Sequence, residues 1–318
     1  MTHMEETRAF LRGMGLPDGD AHNLPTSTKR FPDGAQYRVE IPSTEGPRAM
    51  VAVLDEASRR SVRVHRISQG SGIMLLTNDE LRAMATLGRE ANVEVSLFVG
   101  PKAAWDTGAM ARVAPVAAPK TRGADMLVHA ILDVRRAVEA GILGVLVADE
   151  GLLWVLGAMK QAGQLPPDFV IKISVMQVPA NPATAKLLEN LGAGTLNVAT
   201  DLTLPQLAAI RQAVNIPLDI YIEAPDNTGG FVRHYEVGEI VRCCAPVYVK
   251  AGLRNAADVY PSGTHLESTV IAYSRERVRR AQIALEHLER LYPEATTSEL
   301  GAPGLAIPIP MSEAIRVD

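Results

Sequence analysis

The sequence predicts a parallel α/β barrel with an N-terminal extension. Three observations carry that expectation. Apolar runs of strand length alternate with amphipathic segments of helical length from Ser61 to Tyr292, the alternation that produces parallel strands joined by crossover helices. The stretch from Phe169 to Ala224 shows it most plainly, as FVIKISVMQ, a helical NPATAKLLENLG, TLNVATD, a helical TLPQLAAIRQAV and IPLDIYIEA. Each of these runs also closes on a polar residue, Gln177, Asp201 and Glu223 in turn, at the strand ends where α/β folds place their chemistry.

Taken in order, residues 1–45 open with a short amphipathic segment and continue as PDGDAHNLPTSTKRFPDG, whose Pro, Gly, Asp and Asn punctuate loops, so they are expected to form an extension or cap. Tyr37 to Ser43 (YRVEIPS) reads as a short strand outside the main pattern, and PRAMVAVLDEASRR as a helix leading into the first core strand. From Ser61 the pattern is regular. VRVHRIS is a strand, TNDELRAMATLGREA a helix with Thr77 at its N-cap and Glu80 three positions on, and VEVSLFV a strand; Thr77 and Glu80 have the spacing of a capping box. A Pro- and Ala-rich interruption (Pro101 to Thr121) precedes a helix over 124–140, the strand GVLVAD and the helix LLWVLGAMKQAG. After the central stretch come a helical HYEVGEIVRCC, the strand PVYVKAG and a long final helix, ESTVIAYSRERVRRAQIALEHLERLY. Residues 293–318 have no periodicity and read as a tail.

Seven strands follow one another in the same sense, and an eighth has no clear place. The simplest closure is a TIM barrel of the (β/α)8 type over residues 46–292, its eighth strand irregular or missing. An open doubly wound sheet is the runner-up, but a dinucleotide-binding version needs a glycine fingerprint after its first strand. SQGSGIML offers Gly70 and Gly72 without a third glycine, so no nicotinamide cofactor is expected.

A chain of 318 residues, 47% hydrophobic, can bury the core of one large α/β domain. Its net charge of -4 gives no basic footprint for nucleic acid or an acidic membrane surface. The two cysteines, Cys243 and Cys244, are adjacent in a predicted helix and suit neither a disulfide nor a four-thiolate metal site. The expectation is a soluble, cytoplasmic protein, because no run approaches about 20 apolar residues and MTHMEETRAFLRG lacks the apolar core of a secretion signal. A homo-oligomer is left open.

The strand ends supply the candidates for chemistry: Arg66, Ser68 and Gln69, then Asp149 and Glu150, Gln177, Thr200 and Asp201, Glu223, and Lys250. Carboxylates sharing one cavity raise one another's pKa, so this set suits a general acid and a general base. Asp149, Glu150 and Glu223 are equally candidates to hold a divalent cation through oxygen. A structural reading stands beside each. Asp201 precedes LTLPQL and is placed to cap that helix, while Asp149 and Glu150 sit at the mouth of another, where the dipole favours carboxylates. Glu223 precedes Ala-Pro rather than a helix start, which favours a functional role.

Lys250 ends VYVK and suits a Schiff base or an anion clamp; Arg254 four residues later favours the clamp. Lys172 shares a strand face with Ser174 and Met176, and a salt-bridged interior lysine is its plainest reading. The glycines of SQGSG fit an anion cradle or a tight turn. His65 lies in a predicted core strand and His265 in the loop YPSGTHLES; lone histidines are more often packed than catalytic, and His265 is kept as a substrate-binding candidate. No HExxH, GxSxG or GxxxxGK[ST] pattern occurs. SRERVRRAQ is the solvated face of the last helix.

VMQVPANPATAKLLENLGAGTLNVATDLTLPQLAAIRQAVNIPLDIYIEA resembles the barrel segment of the U32 peptidase family, with Gln177, Asn181, Gly192 and Asp201-Leu202-Thr203 at the family's strand end, helix start, Gly-Ala step and acidic turn. YVKAGLRNAADVY is similar to the family's Lys-Ile-Glu-Gly-Arg signature and its following Ala-Tyr-Arg helix, through Lys250, Gly252, Arg254 and Ala272-Tyr273. The chain departs where the family has a His-Gly segment with a cysteine, carrying Glu223-Ala-Pro-Asp-Asn-Thr-Gly-Gly instead, and it lacks the signature's Glu. The cysteines that hold an iron-sulfur cluster in some relatives have no counterparts, so no cluster is expected. The resemblance implies a barrel and, nominally, a hydrolase.

The leading expectation is therefore an enzyme acting on a small polar or anionic substrate. Glu223 serves as acid or base, Lys250 and Arg254 as anion clamps and Gln177 as an orienting donor, with Asp149 and Asp201 as second choices. Two alternatives stand: a lyase or aldolase-type barrel using Lys250 or a divalent cation, and a non-catalytic assembly or RNA-modification partner.

Overall fold

Charged or polar side chains alternate with branched apolar ones along most of the strands, and that two-residue period decides the architecture. In a computed structural model that describes residues 2–16, 18, 23–105 and 108–311, the chain runs α1 (His3–Gly13), β1 (Tyr37–Ile41), α2 (Pro47–Arg59), β2 (Arg66–Gln69), α3 (Asn78–Ala91), β3 (Glu94–Phe98), α4 (Met110–Val113) and α5 (Gly123–Glu139). It continues through β4 (Gly144–Val147), α6 (Glu150–Gln161), β5 (Val170–Ile173), α7 (Pro182–Asn190), β6 (Thr195–Asn197) and α8 (Leu204–Ala213). Last come β7 (Leu218–Ala224), β8 (Phe231–Val232), α9 (Val237–Cys244), β9 (Val247–Ala251) and α10 (Glu267–Leu291).

Strands β1 to β7 pair in succession, β7 also pairs with β9, and β9 pairs with β1. These eight strands are parallel and form a closed barrel. The short β8 lies antiparallel on the end of β7 and adds nothing to the closure. The TIM-barrel expectation holds, with one correction. Tyr37–Ile41 is no outlying strand: it is the missing eighth member, hydrogen-bonded between β2 and β9. Its sequence hid it, because Arg38 and Glu40 face the barrel interior and leave only Val39 and Ile41 to signal burial.

The apolar halves of the strands face outward against the helices. Ile41, Ile67, Val95, Val145, Ile171 and Leu218 belong to one continuous core with the inner faces of those helices, and each such side chain contributes about 1.5–3 kcal/mol by leaving water. The capping box read from the sequence is present: the Thr77 hydroxyl accepts from Glu80 N, and Glu80 accepts from Thr77 N at 2.8 Å. Thr203, rather than Asp201, caps α8, with Gln206 as its partner. Among the described residues no helix is long and apolar enough to cross a membrane.

The tail is the part the sequence described least, and it closes the base of the barrel. Arg38, at the start of β1, donates to Ser298 Oγ at 2.8 Å and to the Pro303 carbonyl at 2.7 Å, and stacks 4.1 Å from the Phe31 ring. The Ala306 amide donates to Glu94 Oε2 at 3.3 Å.

Candidate active site

Inward-facing positions of TIM barrels are usually filled by branched apolar side chains; here they carry charge. Glu40 on β1, Arg66 on β2, Glu94 on β3, Lys172 on β5, Asp219 on β7 and Lys250 on β9 are all buried inside the barrel. Three acids face three bases. Arg66 contacts Glu94 at 2.6 Å, Asp219 at 3.1 Å and Glu40 at 3.2 Å, and its guanidinium lies 3.5 Å from the centre of the Tyr248 ring. Lys172 is paired with Glu40 and, at 3.3 Å, with Asp219. Thr195 Oγ1 donates to Asp219 at 3.0 Å.

Glu40 links this interior to the mouth. One oxygen accepts from Lys172 and Arg66, while the other accepts from Ser68 Oγ at 2.6 Å and stands 3.2 Å from Lys250 Nζ. Burial alone would raise the Glu40 pKa, but the Lys172, Lys250 and Arg66 charges outweigh it and hold the carboxyl well below the usual range. Burial has the last word at Lys172, which falls to about 8 although Asp219 and Glu40 oppose the shift.

Above Ser68 and Lys250 opens a cavity of about 470 Å³ at the carboxyl ends of the strands, the face where TIM barrels do their chemistry. Lys250 lies at its floor. The Asn197 amide, oriented by its neighbours, accepts from Lys250 Nζ at 2.8 Å and donates to the Asp219 carbonyl at 3.0 Å, and the Tyr221 ring centre is 4.3 Å from the same ammonium. Phe98, Trp105, Leu146, Met176 and Tyr260 form apolar walls, and the charged lining residues are Lys102, Lys250 and Asp258. Such a space suits a small ligand with an apolar body and an anionic or carbonyl group.

The candidates drawn from the sequence divide accordingly. Lys250, Ser68 and Gln69 line the cavity, although Gln69 also holds a turn, donating to Gly72 O and accepting from Gly72 N. Arg66 lies beneath the cavity, its Nε held by Glu94 and its Nη1 by Glu40 and Asp219. Glu223 is outside it: His234 Nε2 stands 3.3 Å from one oxygen, the Arg254 amide donates to the other at 2.8 Å, and Arg280 Nε lies 3.7 Å away. These contacts outweigh burial and lower the Glu223 pKa. Arg254 turns its side chain to Asp226, at 3.4 Å.

Asp149 is the N-cap of α6, accepting from Leu152 N at 2.8 Å. Glu150 pairs with Lys120 and accepts from Gln177 Nε2 at 3.1 Å. Asp201 is exposed, and His265 sits in an exposed turn ahead of α10. The expected metal set of Asp149, Glu150 and Glu223 does not assemble, since each carboxylate is held by its own local partners; among the described residues no group of three or more His, Cys, Asp or Glu side chains is arranged to hold a metal ion.

Sequence reasoning missed Glu40, Lys102, Asn197, Asp219 and Tyr221. A signal for four of them existed: polar residues stand two apart inside short apolar strands, Glu40 after Arg38, Asn197 after Thr195 and Tyr221 after Asp219, the mark of a polar barrel interior. Lys102 had no comparable signal, lying in the irregular segment after β3.

Residues 125–224 match the model of peptidase family U32. The chain resembles that family over this span, which ends at Ala224, so the likeness suggested for Lys250 to Tyr273 lies outside it. Among solved structures, the U32 peptidase Mk0906 is 18% identical, over 65% of this chain and 75% of that one, with a TM-score of 0.39. Oxaloacetate acetylhydrolase in complex with oxalate is 12% identical over 84% and 87%, with a TM-score of 0.42. The carboxyl transferase domain of Rhizobium etli pyruvate carboxylase is 13% identical over 83% of this chain and 49% of that one, with a TM-score of 0.42. No curated protein matches the sequence.

Proposed function

We propose that the chain is an enzyme acting on a small anionic carbonyl compound in the barrel-mouth cavity, with Lys250 as the group that meets the reacting carbonyl. The observation that carries this reading is the placement of Lys250 Nζ on the cavity floor, between Asn197 Oδ1 and Glu40 and under the Tyr221 ring. Lys250 is buried at this point and shares the Glu40 carboxylate with Lys172, which fixes its amine where an incoming carbonyl carbon would meet it. In the reaction the amine adds to the carbonyl carbon and water leaves as the imine forms. Both protons of the nitrogen leave on the carbonyl oxygen as that water, while Glu40, kept ionised by Lys172, Lys250 and Arg66, remains the charge partner of the site. This favours the lyase-type alternative over a hydrolase centred on Glu223, which has no access to the cavity.

The test is reductive trapping. Incubation with pyruvate and borohydride is expected to add the reduced adduct to the Lys250 peptide, and Lys250→Met to abolish it. Saturable pyruvate binding without an adduct would leave Lys250 as a charge partner only and remove the imine.

A further inference from the structure

The rim of the cavity holds a second cation to which the described residues bring no carboxylate within ion-pair distance. Lys102, in the loop between β3 and α4, lines the same cavity as Lys250. Its ammonium donates to the Gly70 carbonyl at 2.7 Å and otherwise meets aromatic faces, 3.7 Å from the Phe98 ring centre and 5.5 Å from that of Trp105. Among the described residues no carboxylate stands within ion-pair distance of it. Glu45, the acid whose field reaches it, has its two oxygens engaged by the amides of Gly70 and Ser71, at 2.7 and 3.0 Å. Burial brings Lys102 down to about 8, with Glu45 opposing only part of the shift. A partly desolvated ammonium with no anion is costly, and an incoming anion recovers that cost.

The surroundings are shaped to keep this cation in place. A Cβ at Gly100 would come 2.8 Å from the Trp105 indole and one at Gly72 3.0 Å from it, while a Cβ at Gly70 would meet the Tyr260 ring at 2.5 Å. The glycines of SQGSG, together with Gly100, thus clear the seats for two aromatic walls, while the Gly70 and Ser71 amides cradle the Glu45 carboxylate and Gln69 closes the turn on Gly72.

We propose that Lys102, walled by Phe98 and Trp105, forms a second anion-binding subsite that takes a carboxylate or phosphate group at the end of the substrate remote from Lys250. The assignment of the near end rests on the reading of Lys250 given above; the subsite itself does not. The substrate is then a dianion with an apolar middle lying along Leu146 and Met176.

Calorimetry on the full chain at pH 7 tests this with three acids that share a keto-acid head and differ at the far end: 2-oxobutanoate, 2-oxoglutarate and 2-oxo-4-phosphonobutanoate. At least one dianion is expected to bind about tenfold or more tighter than 2-oxobutanoate, a difference well within the reach of a charge-assisted contact. The ranking of carboxylate against phosphonate identifies the terminal group. Lys102→Met should bring the ratio to about one, and Lys102→Arg, which keeps the charge, should preserve a preference. Equal binding of all three acids by the native chain, or a preference that survives Lys102→Met in protein with native melting behaviour, overturns the subsite. Loss of 2-oxobutanoate binding alone, with Lys102-dependent dianion binding intact, would instead discard the Lys250 reading and leave the subsite standing.

Discussion

Glu223 and Lys250 end neighbouring strands and meet opposite environments. The sequence points to Glu223 because it ends a strand ahead of Ala-Pro, and simple alternation along β7 would put it on the face of Asp219 and Tyr221. A register shift between Tyr221 and Glu223 against β9 breaks that alternation and gives the carboxylate to His234, the Arg254 amide and Arg280 instead. A bulge of this kind leaves no trace in residue order, so the strand end was legible and the side-chain direction was not. Glu223→Gln should accordingly lower stability by about 1–3 kcal/mol, the cost of weakening a buried charged hydrogen-bond acceptor. Thermal melting together with pyruvate binding separates the cases: a native melting temperature with lost ligand binding would return Glu223 to the site.

At the scale of elements, the strands most visible in the sequence were those whose inward residues interrupt the apolar run least. β1 was misplaced because two of its five residues are the ionic Arg38 and Glu40. One joint ties this strand to the tail. His65 Nδ1 accepts from Val39 N at 3.0 Å, and its other nitrogen stands 2.8 Å from the Ser298 carbonyl, so the ring is neutral with its hydrogen on Nε2. Burial pushes its pKa down to about 4. The unfolded chain takes up this proton near pH 6.5, its ordinary value, whereas the folded one resists it until about 4. His65 thus contributes stability that is complete above about 6.5 and is lost as the pH falls toward 4. Melting temperatures measured across this window should drop more steeply for the native chain than for His65→Asn. Parallel curves would show that the joint does not titrate as described.

For the molecule as a whole, the apolar face of the barrel was readable and its charged interior only in part: Lys172 was expected as a salt-bridged interior lysine and is one, but its partners were not foreseen, because pairing between strands far apart in sequence decides which charges meet. Glu40 and Lys172 are separated by 132 residues, yet they form one contact. The interior is balanced only as a set, and removing one member leaves an opposite charge buried without a partner. Arg66→Met should cost about 3–5 kcal/mol by exposing Glu94, Asp219 and Glu40 to one another; a denaturant midpoint close to native would mean that the set relaxes or takes up a proton.

The closure of the base by Ser298, Pro303 and Ala306 has a consequence for traffic. With that end stoppered, the route into the charged interior runs through the mouth, past Lys250, so the barrel is a vessel with one opening. A ligand seated on Lys250 then corks it. While a ligand stayed there, the pair of Lys172 and Glu40 would have no open path to bulk water, and the charges set before entry would be the ones that the bound molecule meets.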